Sequence, residues 1–83
     1  MDPERAIKRG ALSELNTRKQ ALALSIAGDI RAVKQALALA SVTPIESIDL
    51  DDAAVAINRA QESKAEYLDV LAKIAELKEE LGD

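Results

Sequence analysis

Apolar residues recur along the first forty positions at Ile7, Ala11, Leu15, Leu22, Ile26, Ile30, Val33 and Leu37, separated by three, four or their sums. That is the period of an α-helix with one apolar stripe. Asp2 followed by Pro3 suits an N-cap with proline at the first helical position, where its missing N–H does no harm. The pattern predicts a first helix over about 3–40. Within the stripe the spacing is close to eleven, as in Leu15, Ile26 and Leu37 or Ala11, Leu22 and Val33, which favours a straighter or oppositely wound path than a heptad repeat. Gly10 and Gly28 each cost about 1 kcal/mol against alanine in a helix interior, and close packing against a neighbour is expected at Gly28.

The pattern breaks over 41–49, where Pro44 disfavours helical geometry at Thr43 and removes a donor. Thr43 and Glu46 have capping-box spacing, and Asp49 offers a further N-cap with Asp51 and Asp52 in the following turn. A turn holding a short helical piece is predicted there. A second helix then runs over about 50–81 without glycine or proline, and Gly82 sits where a left-handed cap belongs. Its apolar positions have a different period: Ala53, Ala60, Tyr67, Ile74 and Leu81 repeat every seven residues, interleaved with Ala56, Ser63, Val70 and Leu77. This is a coiled-coil seam.

Two long helices joined by a short connection pack antiparallel. A turn centred near Ile45 makes facing residue numbers sum to about 90, so Leu22 should meet Leu68, Ile30 meet Ala60, Val33 meet Ile57 and Leu37 meet Ala53. Charge supports the direction. Residues 1–43 carry seven bases and four acids, and residues 44–83 four bases and eleven acids, giving +3 and −7 against the net −4 of the chain. Folding back sets Arg5, Lys8 and Arg9 beside Glu76, Glu79, Glu80 and Asp83. Exposed pairs of this kind contribute about 0–1 kcal/mol each, so they choose orientation more than they stabilise. The fold class is therefore all-α, one antiparallel helical-hairpin domain over 1–83.

Each helix has more apolar surface than its neighbour can cover. Beside the stripe of Leu15, Leu22, Ile26, Ile30, Val33 and Leu37 lies a second of small residues, Ala21, Ser25, Gly28, Ala32 and Ala36, which lets another backbone approach closely. On the second helix, Ile57, Leu68 and Leu71 widen the seam of Ala60, Tyr67, Val70, Ile74, Leu77 and Leu81. Two stripes require two neighbours, and the simplest closure is a twofold homodimer forming a four-helix bundle.

Composition limits the chemistry. The 83 residues hold 48% hydrophobic side chains, one aromatic residue, Tyr67, and neither cysteine nor histidine. Thiolate zinc sites, imidazole acid–base chemistry and Cys or Ser–His nucleophiles are absent, so no enzyme and no cofactor is expected. Glu62, Glu66, Asp69 and Glu76 have helical spacing, but bundle metal sites add Glu-x-x-His; these acids read as a solvated face, with no metal. Asp29, at the edge of the apolar face, either fixes register or is solvated. Lys64 and Lys78, inside the apolar arc, read as stems that reach water, and the Tyr67 hydroxyl should sit at the rim.

No secretory leader is apparent at the start of the sequence and no uncharged run is long enough to span a bilayer, so a cytoplasmic location is expected. The leading functional expectation is a self-associating protein that presents helical surfaces to itself and to another protein, as an adaptor, scaffold or assembly subunit. The second is a small bacterial or phage nucleic-acid-associated protein whose Arg5, Lys8, Arg9, Arg18 and Lys19 grip phosphates. A sequence pI of 4.8 and the lack of an aromatic platform weigh against it.

Overall fold

A computed structural model describes residues 2–82. Helix α1 spans Pro3–Ala40 and helix α2 spans Asp51–Leu81, with a single 3-10 turn, Ile45–Ser47, in the connection. At its start, Asp2 accepts a hydrogen bond from the Glu4 N–H through its carboxylate, and Pro3 follows as the first helical residue. At the other end of the chain Gly82 closes α2 at φ 76°, a left-handed conformation that disfavours a side chain. The connection departs from expectation in its caps. Thr43 donates its hydroxyl back to the Leu39 carbonyl and forms no capping box with Glu46, because Pro44 holds the chain extended at that point. The cap of α2 falls on Leu50, while Asp49 accepts from the Asp51 N–H.

The helices lie side by side in an antiparallel hairpin measuring 66 × 15 × 14 Å. The accessible surface is 6222 Å², whereas a compact protein of 8.9 kDa exposes about 4,800 Å². Two parallel rods shield each other along one line only.

Along that line α2 buries the residues its heptad predicts: Ala53, Ala56, Val70, Ile74 and Leu81 are buried and Ala60, Ser63, Tyr67 and Leu77 half-buried. Of the eleven-residue series on helix α1, Ala11, Leu22 and Val33 are all turned inward, as are Leu15 and Ile26, while Leu37 is exposed. Its buried and half-buried residues are Lys8, Ala11, Leu12, Leu15, Asn16, Lys19, Leu22, Ile26, Asp29, Val33, Ala36 and Ala40, and all but Ala11 and Asn16 alternate by four and three. It is a second heptad, with Lys8, Lys19 and Asp29 standing in the seam. The core centres on Leu22, Val70 and Ile74, with Leu12, Leu15 and Tyr67 packed against it.

Register can be read from cross-helix ion pairs among the described residues: Lys8 with Glu80 at 3.5 Å, Arg18 with Glu66, and Arg59 with Asp29 at 2.8 Å. Their residue numbers sum to 88, 84 and 88 rather than 90, a displacement of the facing partner by two to six residues. Leu22 clusters with Val70 and Ile74, on the other side of the expected level, and Leu68 is 53% exposed. At Gly28 a Cβ would meet open space, so the close packing expected there is absent from the hairpin. Position 28 lies off the seam.

Candidate functional site

Because the seam is narrow, the residues flanking it decide what each side of the hairpin presents. On one side stand Arg18 of α1 and Arg59, Glu66, Asp69, Lys73 and Glu80 of α2, a charged face. Arg18 donates to Glu66 there, and Lys73 pairs with Asp69 one turn away. Glu62, Glu66, Asp69 and Glu76 are all exposed on this helix, and no group of acids among the described residues is arranged to hold a metal ion.

The opposite side is apolar. Two adjoining grooves run along it, sharing Ile26, Ile30 and Lys64 as walls. The first, about 320 Å³, is completed by Val33, Ile57 and Ala60, with Asp29, Lys34 and Gln61 at its margin. The second, about 450 Å³, continues past Ala23, Ala27, Tyr67 and Leu68. Ile30 and Leu68 remain 47% and 53% exposed, amounts that leave about half of each side chain for something else to cover. Leu37 and Ile57 are similarly exposed. Leu71 and Leu77 are half-buried, and Ala32 on the charged side is exposed. The second stripe of α1 therefore divides: Ala36 enters the seam, while Ala21, Ser25, Gly28 and Ala32 are solvent-facing.

Asp29 is the polar residue that the sequence placed at the edge of the apolar face. The hairpin buries it instead, leaving its side chain 8% exposed. Oδ1 accepts two bonds from Arg59, through Nε at 2.9 Å and through a terminal guanidinium nitrogen at 2.8 Å. The carboxylate raises the Arg59 pKa above its ordinary value by this hydrogen bond first and by Coulomb attraction second. Oδ2 is buried and has no hydrogen-bond partner among the described residues. An acceptor left in this state loses its hydration without compensation. Lys34 and Lys64, both exposed, also form no ion pair among the described residues. Asp29, with one carboxylate oxygen held by Arg59 and the other without a donor, thus lies beside the same apolar groove as Lys34 and Lys64.

The basic residues of the first helix are distributed rather than gathered. Arg5 donates to the Leu81 carbonyl at 2.7 Å, Lys8 pairs with Glu80, Arg18 pairs with Glu66, and Lys19 is half-buried in the seam. Arg9 is engaged as well. The expected neighbour Asp83 lies outside the described residues. Among the described residues no helix is long and apolar enough to cross a membrane. Compared with models of protein families, with curated proteins and with solved structures, the chain matches none.

Proposed function

We propose that this chain is a non-enzymatic, self-associating helical module, pairing as a twofold four-helix bundle and serving as an assembly or scaffold subunit. The observation that carries this reading is the continuous apolar groove walled by Ile26, Ile30, Val33, Ile57, Lys64 and Leu68. Magnitude supports it too. The accessible surface of 6222 Å² exceeds the compact expectation by about 1,400 Å², and a stable interface removes about 800 Å² from each partner. A second copy laid on the groove would remove a little over half of that excess. The opposite side, crowded with Glu66, Asp69, Lys73 and Glu80, keeps the pair soluble.

Light scattering across a dilution series tests the reading. A mass of twice 8.9 kDa is expected, falling to one copy on dilution. Leu68→Lys, at a half-exposed groove residue, should leave helix content unchanged and move the equilibrium to single copies. A wild-type chain that stays single, folded and cooperative at every concentration overturns the proposal, as does a Leu68→Lys variant that associates as before.

A further inference from the structure

Neither the groove nor the charged side accounts for the end of the hairpin at which the chain turns. Leu39, Val42 and Ile45 are 68%, 80% and 87% exposed there, more than Ile30, Ile57 or Leu68 in the groove. Turns are built from glycine, proline, asparagine, aspartate and serine, because those residues set the backbone. Three large apolar side chains within 39–45 serve no such geometry. They serve no core either, since that lies further along the rod at Leu22, Val70 and Ile74.

Charge at this end is one-sided. Between Lys34 and Arg59 the sequence holds Glu46, Asp49, Asp51 and Asp52 and no base, a local −4 that equals the net charge of the whole chain. None of the four forms an ion pair among the described residues, and they are not grouped to hold a metal ion. Asp49 accepts the Asp51 N–H, and Asp51 and Asp52 complement the dipole of α2. Those duties involve the backbone and leave the carboxylates open to a cation from outside. Asp49 and Asp52 also share a cavity of about 280 Å³ with Leu39, Ala40 and Ile48, which has no residue in common with the groove. Apolar walls beside two carboxylates suit a side chain with a hydrocarbon stem and a cationic head, lysine or arginine.

We propose that the turn end of the hairpin binds a cationic amphipathic segment of a different protein. A lysine or arginine of that segment enters the cavity and reaches Asp49 and Asp52, while its apolar residues cover Leu39, Val42 and Ile45. A helix with leucines and lysines at spacings of three and four presents both groups on adjoining faces. A second copy of this chain fits poorly: turn against turn sets −4 against −4, and Arg5, Lys8 and Arg18 are already held by α2. The groove stays free for self-association, so the two surfaces are independent.

The probe is a fluorescein-labelled helical peptide of leucine and lysine, compared with one in which glutamate replaces every lysine. Anisotropy is measured against the full chain at about 150 mM salt, where distant charges are screened. The lysine peptide should bind and the glutamate peptide should not. Asp49→Asn with Asp52→Asn should weaken Kd by roughly 10-fold or more, with helix content unchanged because asparagine also caps a helix. Val42→Ser with Ile45→Ser should weaken it by at least roughly 5-fold. Glu76→Gln with Glu79→Gln removes the same charge near the other end and should change Kd by less than about 2-fold. Amide shifts of the nitrogen-labelled chain should change over 36–52 and not over the groove at 23–34 and 57–68. The proposal is overturned by a lysine peptide that does not bind or a glutamate peptide that binds equally. Equal losses from the two acid pairs, no loss from the apolar pair, or shifts centred on the groove overturn it as well.

Discussion

Replacing Asp29 with leucine should make this protein more stable. The wild-type carboxylate occupies a heptad position between Ile26 and Val33 where an apolar residue belongs, and its Oδ2 is buried without a donor among the described residues. An unsatisfied buried acceptor costs about 1–3 kcal/mol, and burying a leucine there contributes about 1.5–3 kcal/mol. Against these stands the loss of the bonds from Arg59, whose side chain is 57% exposed and regains water when released. The adjoining groove of about 320 Å³ accommodates the larger side chain, so overpacking is small. The net expectation is a gain of about 2 kcal/mol, in line with other exchanges of buried ions for hydrocarbon. For a chain of this size that is a rise in melting temperature on the order of 10 °C. Circular dichroism melts, taken at concentrations where variant and wild type have the same measured mass, test the gain. Asp29→Asn is the control: its amide keeps a buried polar atom, so no gain is expected. An Asp29→Leu variant that melts at or below wild type would refute the claim that this carboxylate is costly. A stabilised variant that also associates in mixed orientations is the outcome expected if stability was exchanged for specificity.

Three further outcomes are expected. Leu22→Ala, at the centre of the Val70–Ile74 core, should lose about 2–5 kcal/mol in urea titration. Leu37→Ala, 54% exposed, should lose less than about 1 kcal/mol at dilutions where the chain is single; equal losses at both sites would refute the assigned seam. Gly28→Ala, where an added Cβ meets open space, should gain about 0.5–1 kcal/mol with unchanged mass by light scattering, and a variant that loses association would identify the small-residue side as an interface. Because Arg5, Lys8 and Arg18 are already engaged by α2, duplex DNA should show no retardation at about 50 mM salt, a condition that favours phosphate contacts.

Helix α2 was legible almost residue by residue, because its seam from Ala53 to Leu81 is apolar or small at every position and carries its own period. The caps at Asp2 and Gly82 were legible for a similar reason: each depends on a few neighbouring residues. Helix α1 was legible in its bounds and in Ala11, Leu15, Leu22, Ile26 and Val33, but its period was not, because three of its seam positions hold Lys8, Lys19 and Asp29. A pattern that follows only apolar residues steps over these and still lands on Ala11, Leu15, Leu22, Ile26 and Val33, which turn inward, and on Leu37, which does not. Lysines can occupy such positions by burying their stems and extending the ammonium to the edge. Asp29 has no such stem, and its burial became visible only once α2 brought Arg59 level with it. No local pattern contains that pairing, since the two residues are thirty positions apart. The apolar groove falls between these cases. Its members Ile30, Ile57 and Leu68 were recognisable as surplus greasy residues, but their collection on one side depended on a register that the sequence left displaced by two to six residues.

A rod of 66 × 15 × 14 Å whose peptide N–H bonds run nearly parallel to its length rotates in a way that ordinary small proteins do not. End-over-end tumbling alone reorients those bonds, while spinning about the long axis leaves them almost unmoved. Amide nitrogen relaxation should therefore be uniform across 3–40 and again across 51–81, as though the molecule were a good deal heavier than it is. Amides between the helices point in other directions, sense the faster spin, and should relax as though they belonged to a smaller body even where their backbone is rigid.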